Sequence, residues 1–178
     1  MRKQENGNKL TPLSAFNLNR IDDIRNYETG VSGTLGFDYE IKQGDSNFDL
    51  SIAQVINEKE NNKMADITSL NEKLSDLVGS SKYKVNENFD IKYDFSIDQN
   101  YQDFNYNELS TTFKYNFVDL NFGYLQEKKH LGNQDYFTTK IDLKNKENGL
   151  FSFETKRNLI TNSAEFYNLS YEYLNDCL

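Results

Sequence analysis

The residues of this chain whose types could do chemistry are few and scattered. His130 is the only histidine and lies in the polar run Lys128-Lys129-His130-Leu131-Gly132. A zinc site needs further His or Cys ligands, and a hydrolase elbow needs Gly-x-Ser-x-Gly; neither accompanies it. A Ser–His pair on a barrel wall is the one catalytic arrangement open to it, and a solvated loop histidine is the default. Asp22-Asp23, Asp45, Glu58 and Glu60 offer carboxylates without calcium-loop spacing, which reads as solvated loop charge. No catalytic residue, metal ligand or cofactor is expected, and the chain reads as a non-enzyme. Cys177 is the lone cysteine. It is either a buried or incidental thiol, or half of a disulfide to a part of the protein outside this sequence.

The elements that hold these residues are ribbons. In 88–98, Phe89, Ile91, Tyr93, Phe95 and Ile97 alternate with Asp90, Lys92, Asp94, Ser96 and Asp98. Successive strand side chains point to opposite faces, so the run is one strand with an apolar and a charged side. Residues 113–124 repeat it: Phe113, Tyr115 and Phe117 stand against Lys114 and Asn116, then Val118, Leu120, Phe122 and Tyr124 against Asp119, Asn121 and Gly123.

Read in order, 1–13 is a polar leader or loop containing Gly7 and the only proline, Pro12. Residues 13–26 could hold a short strand. From 14 to 178 the chain reads as one domain. Alternation marks 27–41, 48–56, 77–85, 88–98, 104–117, 118–126, 136–143, 150–157 and 165–174 as about nine strands, with no helix. In 48–56, Phe48, Leu50, Ile52 and Ile56 share a face and Ala53 and Val55 take the other. The parity slip near Asn107-Glu108 predicts a bulge. The charged stretch 57–73 reads as a solvated loop. The expected fold class is all-β, an antiparallel up-and-down meander.

Composition narrows the function classes. Aromatics reach 14%, too many for a disordered chain despite a mean hydropathy of −0.81. The net charge of −8 argues against a phosphate-binding surface, so nucleic acid is dropped as a partner. No apolar run is long enough for a membrane helix, but strands crossing a bilayer need only about 9–11 residues each. The opening Met1-Arg2-Lys3 has no apolar stretch behind it. The sequence is thus either cytoplasmic or a piece without its natural N-terminus.

Connections near Gly44, Glu87, Val118 and Lys146 are short, and those at 57–73, 99–103, 127–133 and 158–163 are mostly longer and more polar. Outer-membrane barrels alternate in this way, with tight periplasmic turns and extended outer loops. On that reading Phe89, Ile91, Tyr93, Phe95, Ile97, Phe113, Tyr115 and Phe117 face lipid. Asp90, Lys92, Asp94, Asp98, Lys114, Asp119, Lys140 and Asp142 line a wet lumen. Tyr27, Tyr39, Tyr83, Phe89, Phe104, Tyr124, Tyr136 and Tyr173 sit near ribbon ends, as girdle aromatics do. Cys177 falls on the short-turn side, which in a barrel is the oxidising periplasm. In a soluble β-sandwich binding carbohydrate, the faces exchange roles and the apolar side packs inward. A porin-like channel is a further alternative.

Four stretches, in order, carry a family resemblance. They are Asn19-Arg20-Ile21 with Tyr27-Glu28-Thr29-Gly30-Val31; Phe48-Asp49-Leu50-Ser51-Ile52-Ala53-Gln54; Leu74-Ser75-Asp76-Leu77-Val78-Gly79; and Tyr171-Glu172-Tyr173-Leu174-Asn175-Asp176-Cys177. Together they resemble the C-terminal part of the barrel of LptD, the family of lipopolysaccharide-assembly outer-membrane proteins also called organic-solvent-tolerance proteins. In the second stretch Ala53 replaces the family's glycine, and in the last Asp176 precedes Cys177 where the family often has paired cysteines. The resemblance implies a fragment of an outer-membrane β-barrel in a Gram-negative bacterium, open because further strands are missing. It implies transport of lipopolysaccharide to the outer leaflet among outer-membrane lipids. The implied partners are a plug lipoprotein of the LptE kind and periplasmic bridge proteins. For Cys177 it implies a disulfide to the family's periplasmic domain.

Overall fold

A computed structural model describes residues 9–21, 28–129, 132–144 and 149–173. Its main element is one nine-stranded sheet in sequence order. The strands are β1 (Ser32–Gln43), β2 (Ser46–Asn57), β3 (Leu77–Asn86), β4 (Phe89–Ile97), β5 (Phe104–Tyr115), β6 (Val118–Glu127), β7 (Gln134–Lys144), β8 (Gly149–Asn158) and β9 (Ser163–Tyr173). Every neighbouring pair is antiparallel. The expected meander is therefore the fold, and the sheet is open: β1 does not pair with β9.

Local chemistry sets the turns. Gly44-Asp45, Glu87-Asn88 and Asn116-Phe117 each close a hairpin in two residues, and Gly44 and Asn116 supply positive φ values of 59° and 51°. Positive φ suits a two-residue hairpin, and Gly and Asn adopt it at least cost; the Glu87-Asn88 turn closes without it, where the β3–β4 register shifts. The third of these turns lies two residues before the expected Val118-Asp119, at Asn116, whose side chain tolerates the left-handed region far better than the β-branched Val118. Phe117 consequently belongs to the turn rather than to a strand face. The bulge also moves. Ser96 pairs with Tyr106 but Ile97 with Phe104, which leaves Asn105 as the extra residue.

Outside the strands, two segments differ from expectation. Within 13–21 there is no strand; Pro12–Ala15 forms one helical turn, α1. Thr11 caps it, its Oγ1 accepting from Ser14 N at 3.1 Å while Thr11 N donates to Ser14 Oγ at 3.0 Å, with Pro12 at the first helical position. The β2–β3 loop is not simply solvated, since it buries Met64, Leu70 and Thr68. Asn57 holds it in place, donating from Nδ2 to the carbonyls of Leu70 at 3.0 Å and Glu72 at 2.7 Å.

The buried apolar cluster joins these two segments to the sheet: Leu10, Ala15, Ile21, Met64 and Leu70 pack with Ala53, Val55 and Val78. Ala53 and Val78 are register partners, and they share their face with Asp49, Ser80 and Lys82. The dry core thus forms on the side whose other positions are polar. The Phe/Tyr/Ile side meets no second sheet among the described residues, so the sandwich alternative does not describe this fold.

Candidate functional site

Following the pairing sideways gives each face a composition. Ile41, Phe48, Tyr83, Ile91, Thr111, Phe122, Thr139, Thr155 and Tyr167 form one continuous outward row. Around it lies a belt of exposed aromatic and aliphatic side chains, including Phe37, Leu109, Phe113, Phe137, Leu169 and Tyr171. Tyr115 and Tyr171 each keep 62% of their surface exposed, far from the near-zero values of the core. Ring pairs knit neighbouring strands, as Phe89 with Phe113 at 6.1 Å and Phe122 with Phe137 at 6.4 Å. Phe95 lies over Gly79, its register partner, where a Cβ would leave no room for the ring.

The belt runs obliquely. On β1 its large residues are Leu35 to Ile41, and on β9 they are Tyr167 to Tyr173. Ile41 and Tyr167 occupy the same row, so both belt edges slip by about six residues between the first and last strands. At about 3.4 Å per residue over eight spacings of about 4.8 Å, the incline is roughly 30°. Barrel strands tilt from the membrane normal by about 35–45°. On the loop side a polar row, Asn107, Gln126 and Asp135, bounds the belt across β5, β6 and β7.

The opposite face carries Asp90, Lys92, Asp94, Lys114, Asp119, Lys140 and Asp142. Lys92 pairs with Asp94 at 2.6 Å, Lys140 with Asp142 at 2.8 Å and Lys144 with Asp119 at 2.6 Å. Ser80 Oγ donates to Asp94 at 2.6 Å. Asp98 leaves this ladder for the β4–β5 turn, where it accepts from the backbone N–H of Gln102 at 2.7 Å and of Asp103 at 3.1 Å. Those two donors hold its carboxyl below the usual range. Tyr136, expected among the outward aromatics, pairs with Leu125 on the inward face, and Lys156 Nζ lies 3.6 Å from its ring centre. Its position next to the loop obscured this, since parity alone decides the face.

Over β1, β2 and β3 the inward face is covered. Arg20 pins the cover: its guanidinium donates to Ala15 O at 2.8 Å, Ser32 Oγ at 3.0 Å and Thr34 Oγ1 at 3.0 Å, and it pairs with Glu28. Phe16 lies over Gly36, where any Cβ would strike the ring. Lys9 reaches further, to 2.9 Å from the centre of the Tyr106 ring. Burial pushes its ammonium down to about 8, while Glu108, Asp94 and Glu127 pull it back up.

A polar knot closes the loop end of this cover. Ile56 bridges Leu74 while Ala53 pairs with Val78, so an extra residue near Ser75-Asp76 bulges from the ladder. Asp76 turns inward and is only 3% exposed. It accepts from Ser96 Oγ at 3.0 Å and from Nδ2 of Asn105 at 2.9 Å, and pairs with Lys129 Nζ at 3.3 Å. Both bulges, at Asp76 and at Asn105, thus deliver a side chain to one point. Alternation misses this knot because bulges break it. The signal that could have found it is the apolar pair Ala53 and Val55 on an otherwise polar parity.

His130, Cys177, Asp22 and Asp23 lie outside the described residues. Among the described residues no three His, Cys, Asp or Glu side chains are grouped to hold a metal ion. No helix among them is long and apolar enough to cross a membrane. No curated protein and no solved structure matches the chain. A family model described as LptD: LPS transport system D matches residues 10–173.

Proposed function

The chain belongs to the LptD family, LPS transport system D, and on that premise we propose that it is part of the wall of an outer-membrane β-barrel that delivers lipopolysaccharide to the outer leaflet. The observation that carries this reading is the oblique belt of exposed apolar side chains on a sheet whose polar face is ion-paired and partly covered. A soluble protein seldom leaves so large an apolar area to water, whereas tilted strands crossing a hydrocarbon layer require one. Phe89, Ile91, Tyr93, Phe95, Ile97, Phe113 and Tyr115 are then the lipid contacts. The Asp90-to-Asp142 ladder lines the lumen that passes the sugar portion. β1 and β9 each present an edge, which cannot remain unpaired in a bilayer, so further strands complete the wall.

The reading has the chain act as a conduit rather than an enzyme, in one partial barrel domain from residue 14 onward. A plug lipoprotein in the lumen and periplasmic bridge proteins are its partners, and Cys177 forms its disulfide on the periplasmic side. The test is a cysteine scan of β4 and β5 in vesicles, with a lipid-phase quencher and a water-soluble thiol reagent. Odd positions from 89 to 97 are expected to be quenched from lipid and even positions 90 to 96 to react from water. Equal water reactivity of both parities would exclude the membrane wall.

A further inference from the structure

Lys9 stands on the inward face in surroundings built for its charge. Its Nζ lies 2.9 Å from the centre of the Tyr106 ring, and Tyr106 is itself only 8% exposed, its hydroxyl donating to Glu108. Register brings carboxylates from three strands to the same point. Tyr106 of β5 is the partner of Ser96 on β4 and of Glu127 on β6, and Glu108 is the partner of Asp94 on β4. The carboxylates of Glu108, Asp94 and Glu127 all attract the Lys9 ammonium. Lys92 of β4 repels it, but is itself paired with Asp94 at 2.6 Å. An aromatic face ringed by carboxylates is what an ammonium group needs, because the ring quadrupole and the negative charges act together at short range.

The two ends of the 9–21 segment are held differently. At one end the Arg20 fork engages Ala15 O, Ser32, Thr34 and Glu28 at once and keeps its charge at any ordinary pH. At the other, a single flexible ammonium sits over the ring, next in sequence to the buried Leu10. Burial lowers the Lys9 pKa to about 8, so below that pH the closed segment keeps a charge where burial disfavours it. Lifted into water, Lys9 returns to its ordinary, higher pKa. Lifting is therefore easiest at neutral pH and below, and becomes about tenfold harder from pH 7 to pH 9, as Lys9 loses its proton in place.

We propose that the 9–21 segment is a strap that lifts at its Lys9 end and uncovers an ammonium-binding site, formed by the Tyr106 ring with Asp94, Glu108 and Glu127, which Lys9 fills when the strap is down. The ligand class is a primary alkylammonium, from a small amine or from a lysine side chain of another protein, since that is the group the site already holds. A ligand entering with the strap lifted escapes part of the burial that penalises Lys9. It competes with a group tethered at an effective concentration of about millimolar, so the intact chain binds it weakly. The inference does not rest on the export reading.

The experiment titrates the chain, folded in detergent micelles, with n-butylammonium, lysine blocked at its α-amino and carboxyl groups, n-butanol and magnesium. The backbone amides of Tyr106 and Glu108 report binding. Lys9→Ala is expected to bind n-butylammonium saturably and at least tenfold more tightly than the unaltered chain. In that background Tyr106→Phe should keep the binding and Tyr106→Leu should lose it. In the unaltered chain the affinity should fall about tenfold from pH 7 to pH 9, and in Lys9→Ala it should not. Binding of the blocked lysine as well as the small amine supports the site and makes a protein side chain a fitting source; binding of the small amine alone supports it and restricts the source. Equal shifts with n-butanol or magnesium, no gain in Lys9→Ala, or indifference to Tyr106→Leu overturns the site. An affinity of the unaltered chain that ignores pH overturns the strap. Should Lys9→Ala fail to fold, that pH dependence decides alone.

Discussion

The inward face holds two regions of the same sheet and the same parity that behave oppositely. Over β2 and β3 it is dry, with Ala53, Val55 and Val78 under Leu10, Ile21 and Leu70. Over β6, β7 and β8 it is wet: Asp119 is the register partner of Asp142 and Lys140 that of Glu154, and ion pairs join Lys140 to Asp142 and Lys144 to Asp119. The strand pattern does not distinguish them, since both have an apolar outer side. The difference is what lies on top. A chain segment that covers a face removes water from it, and charged residues there would be left unpaired in a poor solvent. Small and apolar side chains therefore take the covered positions, and the polar groups that remain, such as Asp76, come with a full set of partners.

Paired substitutions test the contrast, starting with its strongest side. Leu70→Ala is expected to cost about 3–5 kcal/mol by opening a cavity in the dry cluster. Leu125→Ala, on the wet region of the same face, is expected to cost under about 1 kcal/mol, since that residue is only partly buried. Urea unfolding in micelles reads both, and equal losses would mean that no dry region exists. Asp76→Ala should cost about 3 kcal/mol, at the low end for a buried pair because Lys129 retains some access to water. In the wet ladder, Asp142→Ala should cost less than about 1 kcal/mol for the exposed Lys140 partner.

Gly36→Val is expected to cost about 1–3 kcal/mol by driving Phe16 off the sheet. Faster amide exchange should then be confined to 9–21 and β1. Spread of that exchange to β7 and β8 would show that the cover is no separate layer. The smallest effect concerns Asp98, whose carboxyl is held low by two backbone donors. Its contribution to the 98–103 turn is fully present above the ordinary carboxylate pKa and is lost as pH falls through the lowered one. Amide exchange at Gln102 and Asp103 should accelerate in acid below about pH 4, and Asp98→Asn should remove that acid sensitivity.

The legible part of the molecule is the part built by repetition. Phe89 to Ile97 announces a strand and its two faces, because side chains alternate at every residue and water sorts them. The three tight turns were locatable to within two residues, and the Asn116 turn shows the limit. Several neighbouring positions tolerate a bend, and the one able to take positive φ wins. The cover and the knot were not legible. Leu10, Ile21, Met64 and Leu70 are single apolar residues in polar surroundings, with no period between them. Nothing local says that they meet Ala53 and Val55, whose appearance on the polar parity makes sense only once a neighbour lies above them.

By itself, the amino-acid order determined a nine-stranded meander, the identity of its apolar and charged faces, and most of its strand limits. These follow from interactions between residues one or two apart and from partition between water and an apolar phase. The tertiary structure alone decided that 9–21 and the β2–β3 loop fold onto the inward face, and that two bulges bring Asp76 and Asn105 to Lys129. It also decided that the outward belt crosses the strands at a slant. Those features join residues tens of positions apart. Such meetings depend on the register accumulated strand by strand, which no short stretch of the chain contains.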